Sequence, residues 1–288
     1  MNQEPLLHIN DLNVTFPSPR GAVHAVQNVS FSMGKEKIGI VGESGSGKSV
    51  TGRAILRLLP PYAQVNAGAV TFKGQDLLSF TEKEMRRIRG MQISMVMQDP
   101  KYSMNPVRTV GAQICEAYTI HRKVSRKEAR AKTMKMLEAV RIRNPEQVYR
   151  LYPQEVSGGM GQRIMIAMML IPEPSLLIAD EPTSALDVTV QLQVLAIMDD
   201  LVTQRGMGLI FISHDLELVS SFCDRIIIMY GGRIMETLDA CDLHNSTHPY
   251  TRGLLNCLPR IKGEKGRLQT LVRDASWLES DFSIPKVG

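Results

Sequence analysis

Only four cysteines occur in the 288 residues, and no two of them form a C-x-x-C pair. Cys115, Cys223, Cys241 and Cys257 therefore read as free thiols in a reducing compartment, not as a disulfide framework. No long apolar run is present. The longest, Ile164–Ile171, falls far short of the ~18 residues that suggest a membrane span. Met1–Asn10 has neither a basic start nor an apolar stretch of about 7–15 residues, so no signal peptide is expected. There is no internal repeat and no low-complexity tract. These absences point to a cytosolic or peripheral chain whose membrane role, if it has one, runs through partners.

What is present is enough for a sizeable core. Hydrophobic residues make up 43% of the chain, which fits one large domain or a core with an inserted subdomain. A net charge of +5 and a pI near 9.0 are mildly basic. Solvated lysines and arginines account for that, as would a nucleotide site or a surface lying near anionic lipid.

Leu6–Phe16 and Ala22–Met33 alternate apolar and polar residues, the pattern of half-exposed strands, with Pro17, Pro19 and Gly21 at the turn between them. Lys37–Val41 predicts a strand, Ser49–Leu59 a helix stopped by Pro60-Pro61, and Ala69–Phe72 a further strand. Between about Asp99 and Val156 the texture turns helical, with helices expected over Ser125–Val140 and Asn144–Tyr152. Strands at Leu176–Ala179, Leu209–Ser213 and Arg225–Tyr230 then alternate with helices at Val188–Arg205 and Leu216–Phe222. That alternation predicts an α/β fold with a mostly parallel sheet covered by helices.

Gly42-Glu43-Ser44-Gly45-Ser46-Gly47-Lys48-Ser49 matches G-x-x-x-x-G-K-[ST] in full, after a strand and before a helix. Its glycines let backbone amides converge on phosphate oxygens, Lys48 reaches the β- and γ-phosphates, and Ser49 ligates Mg²⁺. Leu176–Glu181 is an apolar strand ending in two acids. Asp180 is placed to hold Mg²⁺, and Glu181 to polarise an attacking water. Val156–Gln162 sets a hydroxyl and bare amides ahead of a helix, a second phosphate-facing element. Two such elements imply ATP held between two surfaces, and so between two subunits.

Other residues leave alternatives open. His214 follows a strand and can bridge the γ-phosphate and the catalytic acid, or serve structure alone. Gln98 follows the alternation Ile93–Met97 and can sense the γ-phosphate or its water. Phe16 can stack on adenine or belong to the core. Cys241, His244 and His248 are spaced as C-x2-H-x3-H, but a tetrahedral metal site needs a fourth ligand and none is near in sequence. The Met-rich stretch Ile164–Leu170 reads as buried helix core in preference to a sticky interface.

Taken together these residues resemble the ATPase subunit of an ABC transporter over roughly residues 5–258. By that resemblance Gly42–Ser49 is the Walker A loop and Gln98 the Q-loop glutamine, in reach of the metal. Ser157, Gly158, Gly159 and Gln162 lie in the signature motif, and Leu176–Glu181 is Walker B. Ser184–Asp187 is the D-loop, with Asp187 near nucleotide, His214 is the switch histidine, and Phe16 is similar in place to the A-loop aromatic. The implied fold is a P-loop NTPase (RecA-like) core over 5–98 and 163–258 with an antiparallel β subdomain, a helical insertion over 99–162, and a tail from 259 to 288.

A narrower resemblance is to the ATPases of peptide, nickel and opine importers. It is carried by Gln98-Asp99-Pro100, Ser103-Met104-Asn105-Pro106, the signature Ser157-Gly158-Gly159-Met160, Thr183–Gln191 and His248-Pro249-Tyr250-Thr251. It implies ATP and Mg²⁺, two permease subunits, a second ATPase subunit in a heterodimer in preference to a homodimer, and an extracytoplasmic binding protein. It also implies a place on the cytoplasmic face of the inner membrane, with di- or oligopeptide the foremost cargo. Gly161 departs from the pattern, standing where the group carries arginine. The tail departs too: Gly263–Gly288 has no cysteine, so no iron–sulfur cluster is expected there. A non-transport ABC ATPase acting on nucleic acid would be expected to carry tandem cassettes, coiled coils or zinc modules, none of which appears. A P-loop kinase would not need Ser157–Gln162.

Overall fold

The structure is a computed structural model that describes residues 4–98, 103–184, 186–257, 274 and 277. The chain divides into two compact units, residues 1–78 with 211–288, and residues 79–210.

In the first unit, β1 (Leu7–Phe16) pairs antiparallel with β2 (Val23–Met33), β4 (Gln64–Asn66) and β5 (Ala69–Phe72), and β5 pairs with β6 (Gln75–Asp76). The inward residues of β1 change parity, from Leu7 and Ile9 to Leu12 and Val14, all fully buried. The β1–β2 register shifts between Ile9 and Leu12, and there Asp11 takes φ 52° while its amide donates to Ser30 Oγ. A bulge thus keeps one apolar face inward although the strict period of two is broken.

β3 (Lys37–Val41) pairs in parallel with β10 (Arg225–Tyr230), which pairs antiparallel with β11 (Arg233–Asp239) across Gly231-Gly232. Ile38, Ile40, Val41 and Ile226–Met229 are buried, as continuous apolar strands covered on both faces should be. A Cβ on Gly39 would stand 2.0 Å from Val219 Cγ1, so a helix there packs directly on the β3 backbone. Burial pushes the neighbouring Cys223 thiol up to about 12, so it remains a neutral packing group.

The helix after the glycine loop, α1 (Lys48–Ile55), ends well before Pro60-Pro61, contrary to expectation. Arg57 turns left-handed at φ 51°, and its amide and that of Leu58 bond back to the Ala54 and Arg53 carbonyls. The backbone reversal at Arg57, not the proline pair, stops the helix.

In the second unit, α2 (Glu82–Ile88) begins with a capping box between Thr81 and Glu84. β7 (Ile93–Val96) and β8 (Leu176–Asp180) run parallel, from Ile93 against Leu176 to Val96 against Ala179. All four β7 residues are buried, so the alternation expected for that stretch is not its burial pattern. The helices α3 (Val110–Thr119), α4 (Arg126–Ala139), α5 (Pro145–Arg150) and α6 (Gly158–Leu170) follow one another, and α3 packs on the other three. α7 (Val188–Arg205) begins at an Asp187 cap and ends at Gly206 in the left-handed region, φ 55°. The chain passes from this unit back to the first within β9 (Gly208–Ser213), and α8 (Leu216–Phe222) follows.

Replacing Gly39 with alanine should lower the thermal unfolding midpoint by an amount equivalent to about 1–3 kcal/mol, because a β-branched valine lies in the way of the new methyl. An unchanged midpoint would mean that α8 is free to move off β3.

Candidate functional site

The candidate phosphate loop, Gly42–Ser49, is built between buried β3 and α1. Gly47 stands at the N-cap of α1 with φ 97° and makes no side-chain cap, and a helix start of this kind suits an anion. Lys48 is only 5% exposed, and its Nζ donates to the carbonyls of Gly42 and Glu43, each at 2.8 Å. The Ser46 amide closes a turn onto the Glu43 carbonyl, and the Ser46 carbonyl accepts from the Gly232 amide at 3.1 Å. Ser44 and Gly45 are exposed at the tip, and Ser49 is half-buried. The loop therefore presents amides, an ammonium and a hydroxyl on a scaffold tied to the β10–β11 turn.

Phe16 closes β1, half-buried, with its ring edge-on to exposed Tyr62 at 6.3 Å. It is not among the buried core. His214 is exposed in the bend after β9, and Asp215 next to it caps α8 by accepting the Leu218 amide. The loop, Phe16 and His214 all belong to the first unit.

The remaining candidates belong to the second unit. Asp180 ends fully buried β8 and is 2% exposed. Glu181 follows at φ 46°, a conformation that costs a non-glycine residue about 1–3 kcal/mol. The turn is held by the Ser184 amide and hydroxyl, which both donate to the Glu181 carbonyl. Gln98 Nε2 donates to Glu181 Oε2 at 3.4 Å, so these two predicted residues meet. Asp99 and Pro100 lie outside the described residues, as does Ala185.

Ser157 caps α6 by accepting the Met160 amide, and Asp187 caps α7 by accepting the Val190 amide. The two helix starts touch: a Cβ on Gly159 would stand 2.6 Å from Val190 Cγ1. Ser157 and Gly158 are exposed, and a Cβ on Gly158 would meet nothing within 4 Å. Gly161 and Gln162 are buried, and among the described residues Gln162 Nε2 has no hydrogen-bond partner.

Arg163 was not anticipated from the sequence. Its guanidinium donates to the Gly159 carbonyl at 3.1 Å and the Arg141 carbonyl at 3.0 Å, bracing the first turn of α6. Burial, and secondarily Arg143, draws its pKa below the ordinary arginine value. An arginine after Gln162 carried no separate signal. In the C-x2-H-x3-H triplet, Cys241 is exposed, and His248 Nδ1 accepts the Tyr250 amide.

The family model for ABC transporters matches residues 26–184, more than half of the chain. The chain belongs to the ABC transporter family. A probable peptide ABC transporter ATP-binding protein of Sinorhizobium fredii is 50% identical over 267 residues, covering 91% of this chain and 80% of that protein. The dipeptide transport ATP-binding protein DppD of Bacillus subtilis is 47% identical, covering 90% and 78%. The oligopeptide transport ATP-binding protein OppD of Salmonella typhimurium is 44% identical, covering 92% and 80%. The fold is that of the dimeric ATP-binding cassette MJ0796 in a post-hydrolysis state with ADP and Pi, at a TM-score of 0.73 and 24% identity over 81% of this chain and 98% of that one. This ABC ATPase therefore binds nucleotide and hydrolyses ATP, on a P-loop NTPase fold. No helix among the described residues is long and apolar enough to cross a membrane.

Gly158→Ala should leave the melting midpoint of this ABC ATPase unchanged or slightly raised, since alanine favours a helix by up to about 1 kcal/mol over glycine and meets no neighbour. Gly159→Ala should lower it, because Val190 must shift. Equal effects of the two changes would contradict the α6–α7 contact.

Proposed function

We propose that this ABC ATPase drives uptake of a di- or oligopeptide through partner permeases. The cargo reading is supported by the relatives named for peptide, dipeptide and oligopeptide transport. The observation that carries the chemistry is Glu181, a carboxylate held in strained backbone at the end of a buried strand and touched by Gln98.

In this reading Gly42–Ser49 cradles the phosphates and Lys48 exchanges its loop carbonyls for β- and γ-phosphate oxygens. Phe16 stacks on adenine. Ser49 and Asp180, with Gln98, hold Mg²⁺, which neutralises charge on the phosphates when bound. Glu181 accepts a proton from the attacking water, Gln98 orients that water, and His214 holds the γ-phosphate geometry. Ser157, Gly158 and Gly159 offer a hydroxyl and amides to the ATP of a second ATPase subunit, and Gly158 has the open space such an approach needs. Gln162 sets the helix behind them, and Asp187 lies at the same subunit boundary. Closure of the pair on ATP and opening after hydrolysis is the two-state motion that drives transport.

The working assembly has two permeases, a second ATPase subunit forming a heterodimer, and an extracytoplasmic binding protein, with this chain on the cytoplasmic face of the inner membrane. The catalytic core spans 5–98 and 163–258. The insertion at 99–162 faces the permeases, and the tail runs from 259.

Glu181→Gln should bind ATP as tightly as the parent and lose hydrolysis by roughly 10²-fold or more, the usual loss of a general base. Nucleotide titration and steady-state phosphate release check this. Unchanged turnover would remove Glu181 from the role.

A further inference from the structure

One contact of the phosphate loop comes from a side chain far along the chain. The Glu43 amide donates to the phenolic oxygen of Tyr250 at 3.3 Å, across 207 residues. We propose that Tyr250 is a positioning residue for ATP binding: its hydroxyl fixes the Glu43 peptide, and that peptide fixes Lys48.

Glu43 is held at both of its backbone polar atoms. Its amide goes to Tyr250, while its carbonyl accepts both Lys48 Nζ at 2.8 Å and the Ser46 amide at 3.2 Å. The carbonyl therefore sets where the ammonium sits and closes the loop turn. Without the Tyr250 oxygen, the residue that carries this carbonyl loses an anchor from outside the loop.

Tyr250 is itself rigidly placed. It lies at the start of α9 (Pro249–Asn256) and is fully buried. Its amide donates to His248 Nδ1 at 3.1 Å. The approach to His248 is fastened to β11: Ser246 Oγ donates to Glu236 Oε2 at 2.8 Å, and the Thr247 and His248 amides donate to Glu236 Oε1 at 3.1 and 3.4 Å. The ring is walled on two sides, by Tyr230 at 4.7 Å and by Trp277 at 5.6 Å between centroids. Trp277, the only tryptophan, is 8% exposed and also meets Tyr230 and His248 edge-on. Tyr230 directly follows Met229, whose carbonyl presses on Gly42. The His248-Pro249-Tyr250 turn and Trp277 thus form an aromatic buttress behind the loop, all within the first unit.

This rests on the assignment of ATP to Gly42–Ser49, and Lys48→Ala serves as the control for that assignment. Full-length Tyr250→Phe, Trp277→Ala, Trp277→Phe and Lys48→Ala chains are compared with the parent by calorimetric titration with Mg-ATP and by melting without nucleotide. In Tyr250→Phe the Kd should rise about 3- to 10-fold, and the melting midpoint should move by no more than about 2–4 °C, as for one lost hydrogen bond. Trp277→Ala should weaken binding in the same direction, and Trp277→Phe should restore most of it. A parental Kd in Tyr250→Phe, with binding lost in Lys48→Ala, overturns the Tyr250 role alone. Parental binding in Lys48→Ala overturns the ATP assignment and the inference with it. If Tyr250→Phe does not fold, hydrogen exchange of the peptide covering residues 40–47 decides. Faster exchange in Trp277→Ala than in the parent supports the buttress, and equal exchange overturns it.

Discussion

Main chain pressed against main chain is the constraint on which the phosphate loop depends. A Cβ on Gly42 would stand 2.1 Å from the Met229 carbonyl oxygen, and one on Gly47 would stand 2.4 Å from that of Ala25. Neither neighbour is a side chain that can swing away. The loop can take its shape only because these positions are bare, and its shape is in turn read from β10 and β2. From that fixed floor follow the buried Lys48 and a first turn of α1 that begins at Gly47 without a side-chain cap. The Gly232 amide on Ser46 and the Tyr250 oxygen on Glu43 add ties from the two later segments of the same unit.

The second unit solves a different problem, which is to hold a carboxylate where the backbone does not favour it. Asp180 ends a strand with no exposed residue, and Glu181 turns at once into the left-handed region. Such strain persists only where the surroundings determine it, here through Ser184 on its carbonyl and Gln98 on its carboxylate. The two exposed helix starts at Ser157 and Asp187 are braced by Gly159 against Val190 and by Arg163 on the Gly159 carbonyl.

Much of this was legible in the sequence where local chemistry decides it. α7 and α8 match their expected bounds because Asp187 and Asp215 cap their starts, and β10 matches because its apolar run is bounded by polar residues and Gly231. The turn at Gly42–Gly47 between a strand and a helix was legible because its glycines and the flanking apolar run mark both boundaries. The end of α1 is not legible, because a left-handed arginine carries no sequence signal. β11, which mixes Arg, Glu, Thr and Asp with apolar residues, carries no clear strand pattern, and α3, whose Gly111 and β-branched residues are weak helix formers, carries no clear helix pattern. At the site, Asp180 and Glu181 were readable as residues, but the strain at Glu181 was not. The Tyr250 contact lay beyond sequence reasoning altogether, since nothing local links residues so far apart.

In the proposed pair, this chain's phosphate loop serves its own ATP while its Ser157–Gly159 turn serves that of a second subunit. The most direct measurement is azido-ATP photolabelling and hydrolysis in the reconstituted transporter carrying Ser157→Arg in this chain alone. Labelling of this chain's own loop should persist while hydrolysis of the ATP bound by the partner ATPase is lost. Loss of labelling on this chain with hydrolysis at the partner's loop intact would contradict it.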